Sequence, residues 1–131
     1  MKCPVCKNEM IILELEQVEI DHCGSCGGIW LDHGELEILL EGNEAKRELL
    51  DSMKEVTGTG EKVRRCPRCR KRMLKVLTGA KGETLIDKCK NNHGLWFDRG
   101  ELHQIVNSGS LDPGNKIAHL LNEMFRYPLN Q

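Results

Sequence analysis

The sequence predicts a small α+β protein made of two tandem copies of one metal-dependent module. Three observations predict this fold class. The chain has 131 residues, only 4% of them aromatic, so each half buries too little apolar surface to fold without metal, disulfides or association. Six of its seven cysteines lie in C-x-x-C pairs. The same pattern of cysteine, glycine, tryptophan and acidic residues occurs twice along the chain.

The cysteines favour metal thiolates over disulfides. A secreted disulfide scaffold ordinarily has an even number of cysteines and a signal peptide, whereas this chain has seven cysteines and its first motif begins at Cys3. The sequence contains no apolar stretch long enough for a signal peptide or a membrane span. We therefore expect a reducing, cytoplasmic environment in which the cysteines bind metal.

An internal duplication divides the chain into two domains. The matching segments are Cys3–Cys6 with Cys66–Cys69, and residues 21–36 with residues 87–102, which share the pattern D-x-C-x4-G-x-W-x-D-x-G-E-L. The predicted domains are residues 1–57 and 64–131, each with a metal-binding ribbon and two following helices. The linker is placed at 58–63, next to a Thr-Gly-Thr-Gly stretch of flexible composition.

Each copy begins with short antiparallel strands. In the first copy, alternating apolar residues predict a hairpin of strands Met10–Leu15 and Gln17–His22, and a third short strand over Gly28–Leu31. The second copy has three more residues between its cysteine pairs, and a turn over Thr78–Gly82 joins its equivalent strands.

A capped short helix is predicted after each ribbon. Asp32 is a favourable N-cap residue, and Glu35 three positions later completes a capping-box pattern. Asp98 and Glu101 repeat this pattern in the second copy. The alternative is a pair of catalytic carboxylates in each copy, but capping accounts for both spacings.

Second, amphipathic helices are predicted over Glu44–Val56 and Pro113–Arg126. Their apolar faces contain Leu49, Leu50, Met53 and Val56 in the first helix, and Ile117, Leu120, Leu121, Met124 and Phe125 in the second. We expect Trp30 and Trp96, the largest side chains of an aromatic-poor chain, to pack inside the modules, although a recognition surface is the alternative.

The first copy has the spacing of a four-cysteine zinc site. The pattern C-x2-C-x16-C-x2-C presents two thiolates from each of two tight turns, or knuckles, and zinc accepts four such ligands in a tetrahedron. The predicted ligands are Cys3, Cys6, Cys23 and Cys26.

The second copy departs from this pattern at one position. Asn92 stands where the first copy has Cys26, and His93 follows it. The predicted ligands are therefore Cys66, Cys69, Cys89 and His93. Two alternatives are His103 as the fourth ligand and a lost or weak site. The chain is thus expected to bind two structural Zn²⁺ ions.

The cysteine pairs and the following G-G-x-W-x-D-x-G-E-L segment resemble the transcription factor IIB-type zinc-finger family of bacteria and archaea. The resemblance covers residues 3–40 and, with the altered ligand, residues 66–105. It implies a zinc-ribbon fold and zinc ligation by the cysteines, and it implies little about function.

Charge is distributed unequally between the two halves. Residues 1–60 contain 5 Lys/Arg and 13 Asp/Glu, a net charge of -8, whereas residues 61–131 contain 14 and 7, a net charge of +7. A run of cations surrounds the first knuckle of the second copy: Lys62, Arg64, Arg65, Arg68, Arg70, Lys71, Arg72 and Lys75.

The sequence supports two binding functions, and neither is catalytic. The favoured interpretation is a protein–protein adaptor, associated with transcription or other nucleic-acid machinery, or a self-associating protein. It would use the Leu/Met helices and the opposed charges of the two halves. The alternative is a nucleic-acid-binding protein that uses the basic run around Cys66 and Cys69. An enzyme is disfavoured because a catalytic zinc keeps an open coordination position.

Overall fold

The computed structural model describes residues 1–15, 17–39, 53–78 and 84–101, together with positions 47 and 51. Its seven strands are β1 Ile11–Leu15, β2 Val18–His22, β3 Ile29–Asp32, β4 Lys54–Val56, β5 Leu74–Thr78, β6 Thr84–Lys88 and β7 Gly94–Phe97. Helix α1, His33–Leu39, follows β3. All seven strands belong to one antiparallel sheet with the order β1-β2-β3-β7-β6-β5-β4.

The predicted hairpin of the first copy is confirmed. β1 and β2 pair with Leu15 opposite Val18, and Gln17 adopts a positive φ of 71° in the turn between them. In β2, Val18 and Ile20 are buried and Glu19 is exposed. Val18 and Ile20 therefore lie on the core face of the strand, and Glu19 lies on the opposite face.

The two ribbons join edge to edge through β3 and β7. These strands pair antiparallel with Trp30 opposite Trp96 and Leu31 opposite Leu95, so the equivalent tryptophans of the two copies face each other. The molecule therefore has a pseudo-two-fold axis between the tryptophans. All four side chains are buried, which confirms the prediction that the tryptophans pack inside the protein.

Each tryptophan packs against a glycine of the other ribbon. A Cβ atom at Gly28 would overlap the indole ring of Trp96. A Cβ atom at Gly94 would lie 2.8 Å from Cζ2 of Trp30 and would overlap the carbonyl oxygen of Leu31. The close approach of the ribbons therefore requires glycine at both positions.

The predicted helix Glu44–Val56 is wrong at its C-terminal end. Arg47 and Asp51 are helical, but Lys54–Val56 form β4, which pairs antiparallel with β5. The outer edge of β5 presents backbone N–H and C=O groups that need partners, and pairing with β4 satisfies them. Tertiary pairing therefore overrides the helical periodicity of this segment. Residues 44–46, 48–50 and 52 lie outside the described residues.

Helix α1 begins directly after Asp32, as the capping pattern predicts. In the second copy one of the two bonds of a capping box forms, because the N–H of Asp98 donates to Oε1 of Glu101 at 2.8 Å. In the first copy, Oε2 of Glu35 accepts the N–H of Glu19 at 2.7 Å, which ties α1 to β2. The predicted helix Pro113–Arg126 lies outside the described residues. Within the part of the chain that is described, no helix is long and apolar enough to cross a membrane.

A buried ion pair lies in the second hairpin. Nζ of Lys75 on β5 lies 2.8 Å from Oδ1 of Asp87 on β6 and 3.0 Å from Oε1 of Glu61. Lys75 is 8% exposed and Asp87 is 1% exposed. In the first copy, Ile12 occupies the position opposite Asp21. The ion pair is therefore specific to the second copy, and it directs one cation of the basic run into the protein.

Candidate metal centres and the surface between them

The first knuckle is a tight turn closed by backbone hydrogen bonds. The N–H of Lys7 donates to the carbonyl oxygen of Cys3 at 3.0 Å, and Lys7 takes a positive φ of 68°. The N–H groups of Val5 and Cys6 point at Sγ of Cys3, at 3.3 and 3.5 Å. The turn therefore presents both thiols on one side and surrounds one of them with hydrogen-bond donors that stabilise a thiolate.

The four cysteines of the first copy converge on one point. Sγ of Cys3 lies 3.5 Å from Sγ of Cys26, and Sγ of Cys6 lies 3.4 Å from Sγ of Cys23. All four sulfur atoms lie within 4.8 Å of one another. Sulfurs at the corners of a tetrahedron with zinc–sulfur distances of about 2.3 Å would lie roughly 3.8 Å apart, so this geometry fits zinc.

The second cluster brings three cysteines and one histidine together. Sγ of Cys69 lies 3.7 Å from Sγ of Cys89, and Nδ1 of His93 lies 3.5 Å from Sγ of Cys89 and 3.9 Å from Sγ of Cys66. These four ligand atoms also lie within 4.8 Å of one another. The structure therefore gathers the eight predicted ligand residues into two groups of four.

The backbone of the second copy explains how His93 reaches the cluster. In the first copy, the left-handed residue of the closing turn is Gly27, with φ of 81°. In the second copy, Asn92 adopts this conformation one position earlier, with φ of 60°. Asparagine tolerates the left-handed region better than most residues, so the turn still closes and His93 supplies the ligand atom.

The family of this chain is shown by its match to a family model. A family model described as transcription factor zinc-finger matches residues 2–42 and 65–108, which together cover most of the chain. The chain belongs to this transcription factor zinc-finger family. No curated protein and no solved structure matches it. Family and geometry together fit one structural Zn²⁺ in each copy, where the first zinc ribbon gathers four cysteines and the second gathers three cysteines and a histidine.

The thiols of the second zinc ribbon differ in acidity before metal binds. Burial raises the pKa of Cys66 to about 12, whereas a hydrogen bond from the backbone N–H of Lys71 lowers the pKa of Cys69 to about 6. Zinc binds thiolates, so loading this ribbon must displace the proton held by the more basic thiol.

Replacing His93 is expected to empty only the second zinc ribbon. His93→Ala removes the Nδ1 ligand and leaves three cysteines, so native mass spectrometry should show one bound zinc. His93→Cys should restore the second zinc if the shorter side chain reaches the cluster. His103→Ala is the matched control and should retain two; His103 lies outside the described residues. Loss of zinc from the His103 variant alone would contradict the assignment of His93.

The tryptophans and acidic residues of both zinc ribbons form equivalent contacts. Nε1–H of Trp30 donates to Oδ1 of Asp32 at 2.9 Å, and Nε1–H of Trp96 donates to Oδ1 of Asp98 at 3.0 Å. The spacing of these aspartates in the sequence predicted a role in helix capping alone. The W-x-D spacing, repeated in both copies, is the pattern that could have indicated this second role, because residues two apart in a strand lie on the same face.

Three cations of the basic run have acidic partners inside the protein. Nη1 of Arg68 lies 3.0 Å from Oδ1 of Asp32, which links the second ribbon to the first, and Nη1 of Arg64 lies 3.3 Å from Oδ1 of Asp98. Lys75 is the third, in the buried pair with Asp87. Spacing alone could not distinguish these residues from the rest of the run, because their partners are distant in sequence.

The other five cations of the run are exposed and, among the residues described, form no ion pair. They are Lys62, Arg65, Arg70, Lys71 and Arg72. They are called the basic surface below. It extends over both sides of the knuckle that contains Cys66 and Cys69.

Proposed function

We propose that this chain is a non-catalytic zinc-ribbon protein that binds nucleic acid. The observation that carries the proposal is the basic surface. Its five cations are exposed, and none has a carboxylate partner among the described residues. Cations that are not neutralised within the protein are available to phosphate groups, and releasing counterions from a nucleic acid favours the association.

The zinc ribbon gives this surface a fixed shape. The N–H of Arg70 donates to the carbonyl oxygen of Cys66 at 2.8 Å, and the N–H of Cys66 donates to the carbonyl oxygen of Lys71 at 2.9 Å. These bonds close the turn from Cys66 to Lys71 beside the metal site. Less backbone freedom is then lost on binding, which favours affinity.

The charge of the metal sites also favours the second ribbon for contact with an anion. Four thiolates around Zn²⁺ leave a net charge of -2, whereas three thiolates and a neutral imidazole leave -1. Because the second copy has His93 in place of a fourth cysteine, the metal site beneath the basic surface carries less negative charge than the first site.

The proposed function is non-catalytic because the zinc sites are of the structural type. Each cluster supplies four protein ligand atoms, which is a complete tetrahedron. Catalytic zinc keeps a position for water or substrate, and neither cluster offers one when all four residues bind.

Nucleic-acid binding is expected to weaken steeply with salt. If about four phosphates are contacted, the slope of log K against log salt should be roughly -2.8 for a single strand and about -3.6 for a duplex. Fluorescence anisotropy of labelled oligonucleotides measures this slope. Lys71→Glu with Arg72→Glu should weaken binding at every salt concentration and make the slope shallower. Lys54→Glu, at an exposed position on β4, is the control and should change neither.

A second candidate function is that of a protein–protein adaptor. It is favoured by the edge strand β1, where Ile11 is 45% exposed and Ile12 is 67% exposed. An edge strand with exposed apolar side chains can pair with a strand of another chain. Failure of any oligonucleotide to bind at low salt, together with sedimentation faster than a monomer, would favour this candidate over nucleic-acid binding.

A further inference from the structure

A cleft of about 500 Å³ lies between the N-terminal knuckles of the two zinc ribbons. Four cationic side chains line it, and they come in equivalent pairs from the two copies: Lys2 with Arg65, and Lys7 with Arg70. The pseudo-two-fold relationship of the ribbons therefore places two positive side chains on each wall. Half of these side chains come from the first copy, although the net charge of that copy is negative.

Hydrogen bonds within the knuckles hold two of these side chains without neutralising them. Nζ of Lys7 donates to the carbonyl oxygen of Pro4 at 3.3 Å, and Nη1 of Arg65 donates to the carbonyl oxygen of Arg70 at 3.1 Å. Carbonyl oxygens carry no net charge, so each cation keeps its full charge. Lys7 and Arg70 also share a positive φ, 68° and 64°, which gives both walls the same backbone shape.

One carboxylate lies in the cleft, and it has a partner of its own. Oε2 of Glu9 is 3.7 Å from the N-terminal ammonium group of Met1. The equivalent position in the second copy is Arg72, a member of the basic surface. Arg65 and Arg70, which line the cleft, also belong to the basic surface, so the cleft is continuous with that surface on the side of the second ribbon.

We infer that this cleft binds the sugar–phosphate backbone of a single nucleic-acid strand, with two cations from each ribbon contacting phosphate oxygens. This inference rests on the proposed function and locates its principal contacts. The volume of the cleft lies in the range of small-molecule sites, so the cleft can admit the sugar–phosphate backbone of one extended strand. The lining residues include no aromatic side chain on which a base could stack, so binding should depend little on sequence.

The decisive experiment reverses the charge of each wall separately. Lys2→Glu with Lys7→Glu changes the first ribbon, and Arg65→Glu with Arg70→Glu changes the second. Each double variant should weaken binding of a labelled mixed-sequence single-stranded oligonucleotide by about tenfold or more near 0.1 M salt. Lys54→Glu with Lys90→Glu is the matched control, because it changes the net charge equally at exposed positions outside the cleft, and it should bind like the wild type.

Further measurements keep the outcomes distinct. Every variant should retain two zinc ions by native mass spectrometry, and Lys7→Arg with Arg70→Lys, which preserves the charges, should bind like the wild type. Two results would show that nucleic acid binds elsewhere on the protein. In the first, the wild type binds the single strand and only the double variant of the second ribbon binds it more weakly. In the second, neither double variant differs in affinity from the control. If the wild type binds no oligonucleotide at low salt, the proposed function itself fails. The inference is also overturned if the charge-reversal variants bind the oligonucleotide more weakly only because they lose zinc. In that case an Arg65→Gln/Arg70→Gln variant that keeps both zinc ions would bind like the wild type.

Discussion

Removal of zinc is expected to unfold both ribbons. Zinc binding to small structural sites contributes on the order of 10–16 kcal/mol, which equals or exceeds the whole stability of a typical small domain. The core here depends directly on the metal sites. Cys3, Cys23, Cys66 and Cys89 lie in one buried cluster with Trp30, Trp96, Met10 and Met73. Without metal, the buried thiols would repel one another as thiolates or lose their ligand bonds as neutral groups.

Near-UV circular dichroism is a suitable measurement, because both tryptophans are fully buried beside the cysteines. A chelator should abolish the tryptophan signal together with the far-UV spectrum of the sheet, and added zinc should restore both. Native mass spectrometry should count two zinc ions before chelation. A chelated chain that retains its native spectra would show that apolar packing alone maintains the fold.

Alanine at Gly28 or Gly94 is expected to separate or strain the two ribbons while both remain loaded with zinc. Overpacking a close contact costs about 1–3 kcal/mol or more. Gly94→Ala should be the more damaging change, because the new methyl group would overlap the backbone carbonyl of Leu31 as well as the ring of Trp30. At Gly28 the obstructing group is the ring of Trp96, which is itself held in the core.

Gly34→Ala is the matched control for these variants. Gly34 lies in α1, and outside its own helical turn no atom of the described residues lies within 4 Å of the position that its Cβ would occupy. Alanine is a better helix former than glycine by roughly 1 kcal/mol, so this variant should be as stable as the wild type or slightly more stable. Thermal unfolding monitored by tryptophan fluorescence distinguishes the alanine variants of Gly28, Gly94 and Gly34. Equal melting temperatures for Gly94→Ala and Gly34→Ala would show that the ribbons do not approach as closely as β3 and β7 indicate.

The local architecture was predictable because its causes are local. The spacing of Cys3, Cys6, Cys23 and Cys26 allows two knuckles to meet across a hairpin, and four soft ligands at that spacing have few uses other than zinc. Alternation of apolar residues identified β1 and β2. The substitution at Asn92 and the adjacent His93 could be interpreted because the duplicated copy showed which position had lost its ligand.

The arrangement of the two copies could not be predicted in the same way. Pairing of β3 with β7 depends on two strand edges that are far apart in sequence and become complementary only after each ribbon has formed. The same applies to β4, whose residues were assigned to a helix and are held as a strand by the open edge of β5. Local periodicity contains no information about which distant edge a segment will meet.

The sequence by itself therefore determined the two modules, their eight converging metal ligands and the excess of cations around Cys66. Tertiary structure alone decided which of those cations are available. Lys75 is buried against Asp87, and Arg68 is engaged by Asp32 of the other ribbon, whereas Lys2 and Lys7 of the acidic copy are brought beside Arg65 and Arg70. The physical reason is that the effect of a charge depends on its distance from other charges in space, and the chain sets those distances only when β3 and β7 join the ribbons.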